Sequence, residues 1–303
     1  MDKLISIIIP HYNNPQLLKR LLYTIPDDPR IEVIIVDDCS SKHIEEFNIL
    51  KNSYPDLKWF STETNGGGGK ARNIGIKNAS GKYLLFADCD DFFTPFIYEL
   101  VDKFEKYIIY DVIYFNAISL DSITYKPTSR VRHLNYYIRK YQKNPSKGEL
   151  YLRYEFGEPW CRLIRTDIIR NHKISFEEIA IHNDFSFCYI SSHHAKNILV
   201  EDKCLYCVTV RKGSVSKNLP IENINLKAEV FASHANFIKK NRIQLPITSL
   251  YIPYVYYILN FKTLNFKGLN RIYKNKGISS FDIIKSLIAD LCIRFFKKRP
   301  VKM

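Results

Sequence analysis

Apolar runs alternate with helical-period stretches through the first 120 residues. Residues 4–9, Leu-Ile-Ser-Ile-Ile-Ile, are almost continuously apolar, the pattern of a strand covered on both faces. Asn13-Asn14-Pro15 then supplies cap residues and a proline suited to a first helical turn, and Leu17, Leu18, Leu21 and Leu22 follow at helical spacing. The alternation continues with strand 32–36, closed by Asp37-Asp38, helix 44–50 and strand 57–61. After a glycine run come helix 70–78, strand 82–87 ending in Asp88-Cys89-Asp90-Asp91, helix 96–106 behind Thr94-Pro95, and strand 111–117. Repeated strand–helix units of this length predict an α/β fold with a mostly parallel sheet flanked by helices.

Further on the pattern changes. Residues 121–148 are polar, contain Lys-Pro, Asn-Pro and Lys-Gly steps, and read as a loop-rich connection; residues 149–218 are mixed. From about residue 221 the spacing is helical, and Phe281, Ile284, Leu287, Ile288, Leu291 and Phe295 form one stripe running into Lys297-Lys298-Arg299. No internal repeat is visible. The division expected is 1–120, 121–218 and a helical extension 219–303.

Composition narrows the class. With 46% hydrophobic and 25% charged residues, the 303-residue chain is neither disordered nor fibrous. The formal charge of +14 is concentrated: after residue 230 there are fourteen Lys or Arg against two acids, a net of +12. A nearly neutral body carries a basic tail, which calls for a polyanionic partner, membrane or nucleic acid. No RNA- or DNA-binding motif accompanies the charge, so the membrane is the better reading and no nucleic acid is expected. Seven scattered cysteines and an apolar start that ends at Pro10, too short for a secretory signal, suit free thiols in a reducing compartment. Cys204-Leu-Tyr-Cys207 lacks a second half at zinc spacing and reads as two side chains of a strand. The uncharged stretch 243–261 raises the question of a membrane span, but Pro246, Pro253 and its tyrosines favour a buried or interfacial helix.

Three polar clusters follow strands: Asp37-Asp38, the loop 65–70, and Asp88–Asp91. In parallel α/β sheets that edge is where ligands bind. Asp88 and Asp90, two apart in an extended segment, face one side, and carboxylates so close repel unless protonated or bridged by a hard cation such as Mg²⁺ or Mn²⁺. Asn65-Gly-Gly-Gly-Gly69-Lys70-Ala-Arg72 enters a helix, lacks the Ser/Thr of a phosphate-binding P-loop, and reads either as a flexible turn or as backbone amides and an arginine offered to an anion.

These residues carry a resemblance. Ile5-Ser-Ile-Ile-Ile-Pro-His-Tyr-Asn13, Val33-Ile-Ile-Val-Asp-Asp-Cys-Ser40, the glycine segment, and the Gly81-to-Asp91 segment resemble, in order, the nucleotide-binding half of family-two glycosyltransferases of the GT-A fold. Trp160-Cys-Arg-Leu-Ile-Arg165, Asn183-Asp184-Phe-Ser-Phe187 and Arg211-Lys-Gly-Ser214 resemble the family's second half. The resemblance covers roughly residues 3–218. It implies a nucleotide-sugar donor, with UDP the expected nucleotide, and a saccharide or lipid-linked saccharide acceptor. The Pro10–Tyr12 backbone would line the base pocket, and Asp38 would bond the base. Arg72 would lie beside ribose and phosphates. Asp88 would touch the ribose or metal shell, and Asp90 would coordinate Mn²⁺ or Mg²⁺. Asp91 would shape the sugar pocket, Trp160 would form part of the acceptor platform, and Arg211 and Ser214 would close over the diphosphate. Asp184 would be the general base for an inverting displacement that yields a β-linkage.

Departures from the family pattern are Asn183 where a Glu is usual, Cys39 for Gly, Cys89 for Ser, and His11 for an apolar residue. Asn cannot take a proton, so Asp184 serves alone or Glu177 or Glu178 substitutes. His11 either touches the base or packs at the strand end. The expected setting is surface-polysaccharide synthesis, with the chain peripheral on the cytoplasmic face of the membrane through its tail. A nucleotidyltransferase of similar sheet, releasing pyrophosphate, and a non-enzymatic basic membrane module are the rival classes.

Overall fold

The computed structural model describes residues 3–211, 221–261 and 266–297. It divides into two units, residues 1–212 and 213–303.

In the first unit, β1 (Ile5–His11), α1 (Pro15–Leu22), β2 (Ile31–Asp37), α2 (Ile44–Ser53), β3 (Lys58–Ser61), α3 (Gly67–Asn78) and β4 (Tyr83–Phe86) follow one another. Strands β3, β2, β1 and β4 lie side by side and parallel. All seven residues of β2 are buried, which is why its apolar run is continuous rather than alternating. Of its two charged residues, Glu32 is satisfied by Ser6, Lys58 and Ser80, and Asp37 by His11 and Ser40. The chain winds outward from β1 to β3 and returns past β1 to β4. The carboxyl edge of β1 and β4 is therefore the point where winding reverses and a crevice opens.

The sheet continues through β5 (Phe92–Phe93), α4 (Phe96–Asp102), β6 (Val112–Asp121), α5 (Arg132–Lys143), α6 (Pro145–Tyr154), β7 (Arg162–Arg165), α7 (Thr166–Asn171), α8 (Phe185–His194) and β8 (Ile198–Val210). The order is β3-β2-β1-β4-β7-β6-β8-β5, with β7 antiparallel to both neighbours and β6 parallel to β8. The predicted mostly parallel α/β sheet is present.

Residues 121–148 are not the loop-rich connection expected. They contain all of α5 and the start of α6. Leu134 and Ile138, four apart, are buried on one face of α5. Pro145, read as a breaker, is the first residue of α6, where its missing N–H costs nothing, and the Asn144 side chain caps Lys147 N. Helix 96–106 ends early, at Asp102, and passes into a 3-10 turn, Phe104–Tyr107. Cys204 and Cys207 lie in β8 as free thiols.

The second unit is helical: α9 (Ile221–Lys240), α10 (Ile252–Phe261), α11 (Lys267–Asn275) and α12 (Ser280–Lys297). Tyr273 donates to the Leu250 carbonyl at 2.6 Å and Ser286 accepts from Leu250 N at 3.1 Å, tying α11 and α12 to the same segment. On α12, Phe281, Ile284, Leu287, Ile288 and Leu291 remain exposed. No described helix is long and apolar enough to cross a membrane.

Candidate active site

A cleft of about 230 Å³ opens at the predicted edge, lined among others by Pro10, Tyr12, Asp38, Gly68, Asp88, Asp90 and Arg211. The three polar clusters do converge.

The acidic segment is a turn, not an extended strand end. β4 stops at Phe86, and Asp91 N donates to the Asp88 carbonyl at 3.0 Å. The turn is clamped from β8, more than a hundred residues later. Tyr206 Oη accepts from Asp88 N at 2.8 Å, Thr209 Oγ1 donates to the Asp90 carbonyl at 2.5 Å, and Thr209 N donates to Asp91 Oδ1 at 2.7 Å. Arg20 of α1 also donates to the Asp90 carbonyl. So held, Asp88 turns to Arg72 at 2.6 Å and Asp90 to Arg211 at 3.3 Å. Burial, then the Asp88 charge, push the Asp90 carboxyl up against the pull of Arg211. Asp91 is buried, and burial with its two acidic neighbours raises it well above the ordinary range. It points at β8 rather than into the cleft, so it supports the turn instead of shaping a sugar pocket.

Asp38 is a hub. Its buried carboxylate accepts from Thr62 Oγ1 at 2.9 Å, Gly66 N at 2.9 Å and Gly67 N at 2.6 Å. These bonds pin the glycine loop, so most of the carboxylate's capacity is spent there rather than on a base. Helix α3 begins inside the glycine run, at Gly67, three residues earlier than predicted. The run has a packing reason: a Cβ at Gly69 would collide with the Glu177 carbonyl oxygen, and one at Gly68 would stand 3.0 Å from Arg72 Nη1. The segment 177–183 thus lies directly on the loop, and the flexible-turn reading fails.

That approach lets one guanidinium reach both halves of the unit. Arg72 is buried, donates through Nη2 to Asp88 and through Nη1 to Asn183 Oδ1 at 3.1 Å, and stands 5.3 Å over the Phe176 ring. Asp184, next in the chain, precedes α8 and makes no side-chain cap bond to it. Burial raises its carboxyl to about 6; Arg72 opposes the rise, and Glu158 and Asp88 add to it. A carboxylate poised there is ionised at neutral pH yet basic enough to take a hydroxyl proton. Of the substitutes considered, Glu178 is engaged with Asn73 Nδ2 at 3.1 Å.

Other expectations fare differently. His11 is buried, bonded through Nδ1 to Asp37 at 2.7 Å and stacked on Phe47, so it packs at the strand end, where it also borders the cleft. Trp160 is 4% exposed and stacked on Tyr206, which places it behind the acidic turn rather than on an acceptor surface. Tyr12 is exposed at the cleft. Ser214 lies outside the described residues. Arg20, Tyr206, Thr209 and Glu158 bear on the site without any sequence signal, because each acts across a long loop closure.

The family Glycosyl transferase family 2 matches residues 6–172. Among curated proteins, the chain is 29% identical to poly(ribitol-phosphate) beta-N-acetylglucosaminyltransferase TarS of Staphylococcus aureus, over 69% of this chain and 36% of that one. It is 24% identical to cholesterol galactosyltransferase of Borreliella burgdorferi, over 93% of this chain and 84% of that one. The chain thus spans about a third of the length of the TarS relatives. Among solved structures, S. aureus TarS 1-349 in complex with UDP-GlcNAc superposes with a TM-score of 0.63 at 22% identity, covering 94% of this chain and 81% of that one. A mannosyltransferase from Pyrobaculum calidifontis in complex with GDP-Man and Mn²⁺ gives 0.51 at 13% identity, covering 99% and 82%. At these identities the likeness is one of fold, the GT-A fold.

Proposed function

We propose that this chain, which belongs to glycosyl transferase family 2, moves a hexose or N-acetylhexosamine from a UDP-sugar to a hydroxyl of a saccharide acceptor with inversion to a β-linkage. The observation that carries the reading is the Asp88–Arg72–Asn183 bridge, which joins a donor-facing acidic turn to the residue beside a carboxylate of pKa about 6. Residues 1–120 supply the donor side, and 121–218 supply the base and the acceptor side.

In this reading Asp184 accepts the proton of the attacking hydroxyl. Arg211, at the cleft, faces the diphosphate and offsets its charge, while the buried Arg72 holds Asp88 from behind. Pro10 and Tyr12 border the nucleotide, and Asp38 holds the loop that approaches it. The residues fit a hard divalent ion. Asp88 and Asp90 present carboxylates at the cleft, and burial makes the ionised form of Asp90 costly without a cation. Mg²⁺ or Mn²⁺, satisfied by one or two carboxylates with water and phosphate oxygens, needs no third protein ligand, and among the described residues no group of three offers one. Asp90 with Asp88 would hold the ion, which supplies Lewis-acid stabilisation to the departing diphosphate. The TarS complex with UDP-GlcNAc and the mannosyltransferase complex with Mn²⁺ support the donor and ion by likeness.

The exposed apolar face of α12 beside a basic tail supports a peripheral place on an anionic, cytoplasmic membrane face, where a lipid-linked acceptor of surface-polysaccharide synthesis would be met. The deciding experiment is a donor screen with UDP-GlcNAc, UDP-glucose, UDP-galactose and GDP-mannose in Mg²⁺ and Mn²⁺. Release of free UDP coupled to glycoside formation is expected; release of pyrophosphate would instead make the chain a nucleotidyltransferase.

A further inference from the structure

Arg211 bridges two sides of the cleft. Its Nη2 lies 3.3 Å from Asp90 Oδ2, and its Nη1 donates to Asn14 Oδ1 at 3.4 Å. Asn14, Asp88, Asp90 and Arg211 all line that one cleft. Arg20, which also reaches the turn, donates to the Asp90 carbonyl and not to its carboxylate. The carboxylate that would hold a divalent ion is thus already paired with a guanidinium.

Asn14 is fixed on its other side. Its Nδ2 donates to the Tyr12 carbonyl at 2.7 Å, which leaves Oδ1 for Arg211. Its backbone N donates to His11 Nε2 at 3.2 Å, so the His11 proton sits on Nδ1, bonded to Asp37 at 2.7 Å. Asp37 in turn accepts from Ser40, whose Oγ receives Asn13 N at 2.8 Å. Asn14 precedes α1, yet its side chain makes no cap bond to that helix. The side chain serves the arginine instead, and His11 ties Asn14 to the end of β2.

A guanidinium pairs with a carboxylate or with phosphate oxygens through the same fork of N–H donors. A divalent ion entering at Asp90 alone would displace Arg211 and leave it beside a like charge with no new partner. A diphosphate arriving with the ion supplies that partner, because Nη2 can turn to its oxygens while Nη1 stays on Asn14. Arg211 therefore opposes the ion by itself and favours the ion with the nucleotide. Such a coupling acts equally in both directions.

We propose that Arg211, aimed by Asn14, holds the ion's place at Asp90 in the empty cleft and yields it only to a diphosphate, so that ion and nucleotide enter as a pair. The inference rests on Asp90 being the ion ligand, as proposed above.

Manganese EPR of the full chain tests it, with Mn²⁺ titrated in the presence and absence of saturating UDP, and UDP affinity read by calorimetry with and without Mn²⁺. In the wild type, UDP should tighten Mn²⁺ binding at least about tenfold, and Mn²⁺ should tighten UDP binding by the same factor. Arg211→Ala should bind Mn²⁺ without UDP about fivefold more tightly than the wild type and show a smaller coupling. Asn14→Ala keeps the charge but frees the guanidinium, and should shift both quantities the same way by a smaller factor. Equal or weaker Mn²⁺ binding by UDP-free Arg211→Ala would overturn the proposal while leaving the ion site in place. An effect of Arg211→Ala that Asn14→Ala does not share would also overturn it, since charge alone would then act. No Mn²⁺ binding by any form, with or without UDP, would remove the ion reading and the proposal with it.

Discussion

Asn183 Oδ1 accepts a hydrogen bond from Arg72 at 3.1 Å, one residue before the proposed base. The family pattern leads one to expect a carboxylate there. A neutral partner leaves the Arg72 charge to be shared by Asp88 and Asp184, and Arg72 is the chief influence holding Asp184 down against its burial. In the proposed reading, the departure in sequence would therefore tune the base.

Asp184→Asn should reduce transfer at least about a hundredfold with UDP binding retained, measured as UDP release against UDP affinity. The wild-type rate should fall as pH drops through about 6, since the base must be ionised. The sign for stability is opposite. A carboxyl raised in the folded state favours folding fully below its unfolded pKa, and that contribution is lost as pH rises through about 6. At pH 7 the Asn variant should be more stable by roughly 1–3 kcal/mol, read by denaturant melts.

Asn183→Glu would set a second carboxylate on Arg72 beside Asp184. The acid limb of the rate profile should move upward by up to about one pH unit. An unmoved limb would show that residue 183 and the base are not electrostatically linked.

Gly69→Ala forces a Cβ into the Glu177 carbonyl oxygen. Backbone cannot yield as a flexible side chain does, so a stability loss of about 1–3 kcal/mol is expected. Transfer should fall with it, because segment 177–183 carries Asn183.

Asp90→Ala should leave the fold intact, since the turn is clamped through the Asp90 carbonyl and not its side chain. Transfer should drop about 10²–10³-fold, with a matching loss of response to added Mn²⁺ or Mg²⁺. Undiminished turnover that still responds to the ion would move the ion site elsewhere, and metal-independent turnover would remove it.

Removal of residues 280–303 deletes the exposed stripe of α12 and the basic end. The truncated chain should no longer sediment with phosphatidylglycerol vesicles, whereas the intact chain should do so less as salt rises. Equal sedimentation of both forms would refute the membrane reading.

What sequence alone determined here is local and periodic. Buried parallel strands such as β2 announce themselves by unbroken apolar runs, and the polar clusters that follow them mark the ligand edge. Residues 121–148 misled because polar punctuation hides a helix whose buried face is only Leu134 and Ile138, and because proline opens a helix as readily as it ends one. The tertiary structure alone decided how the acidic turn is held, with Tyr206 and Thr209 reaching it from β8. It also decided why four glycines stand in a row, since Glu177 presses on Gly69. It turned Asp91 and Trp160 inward and set Glu158 near Asp184. Contacts between residues a hundred positions apart leave no period and no spacing in the chain. Charge, burial and reach at such a site are properties of the packed sheet, and only the fold brings them together.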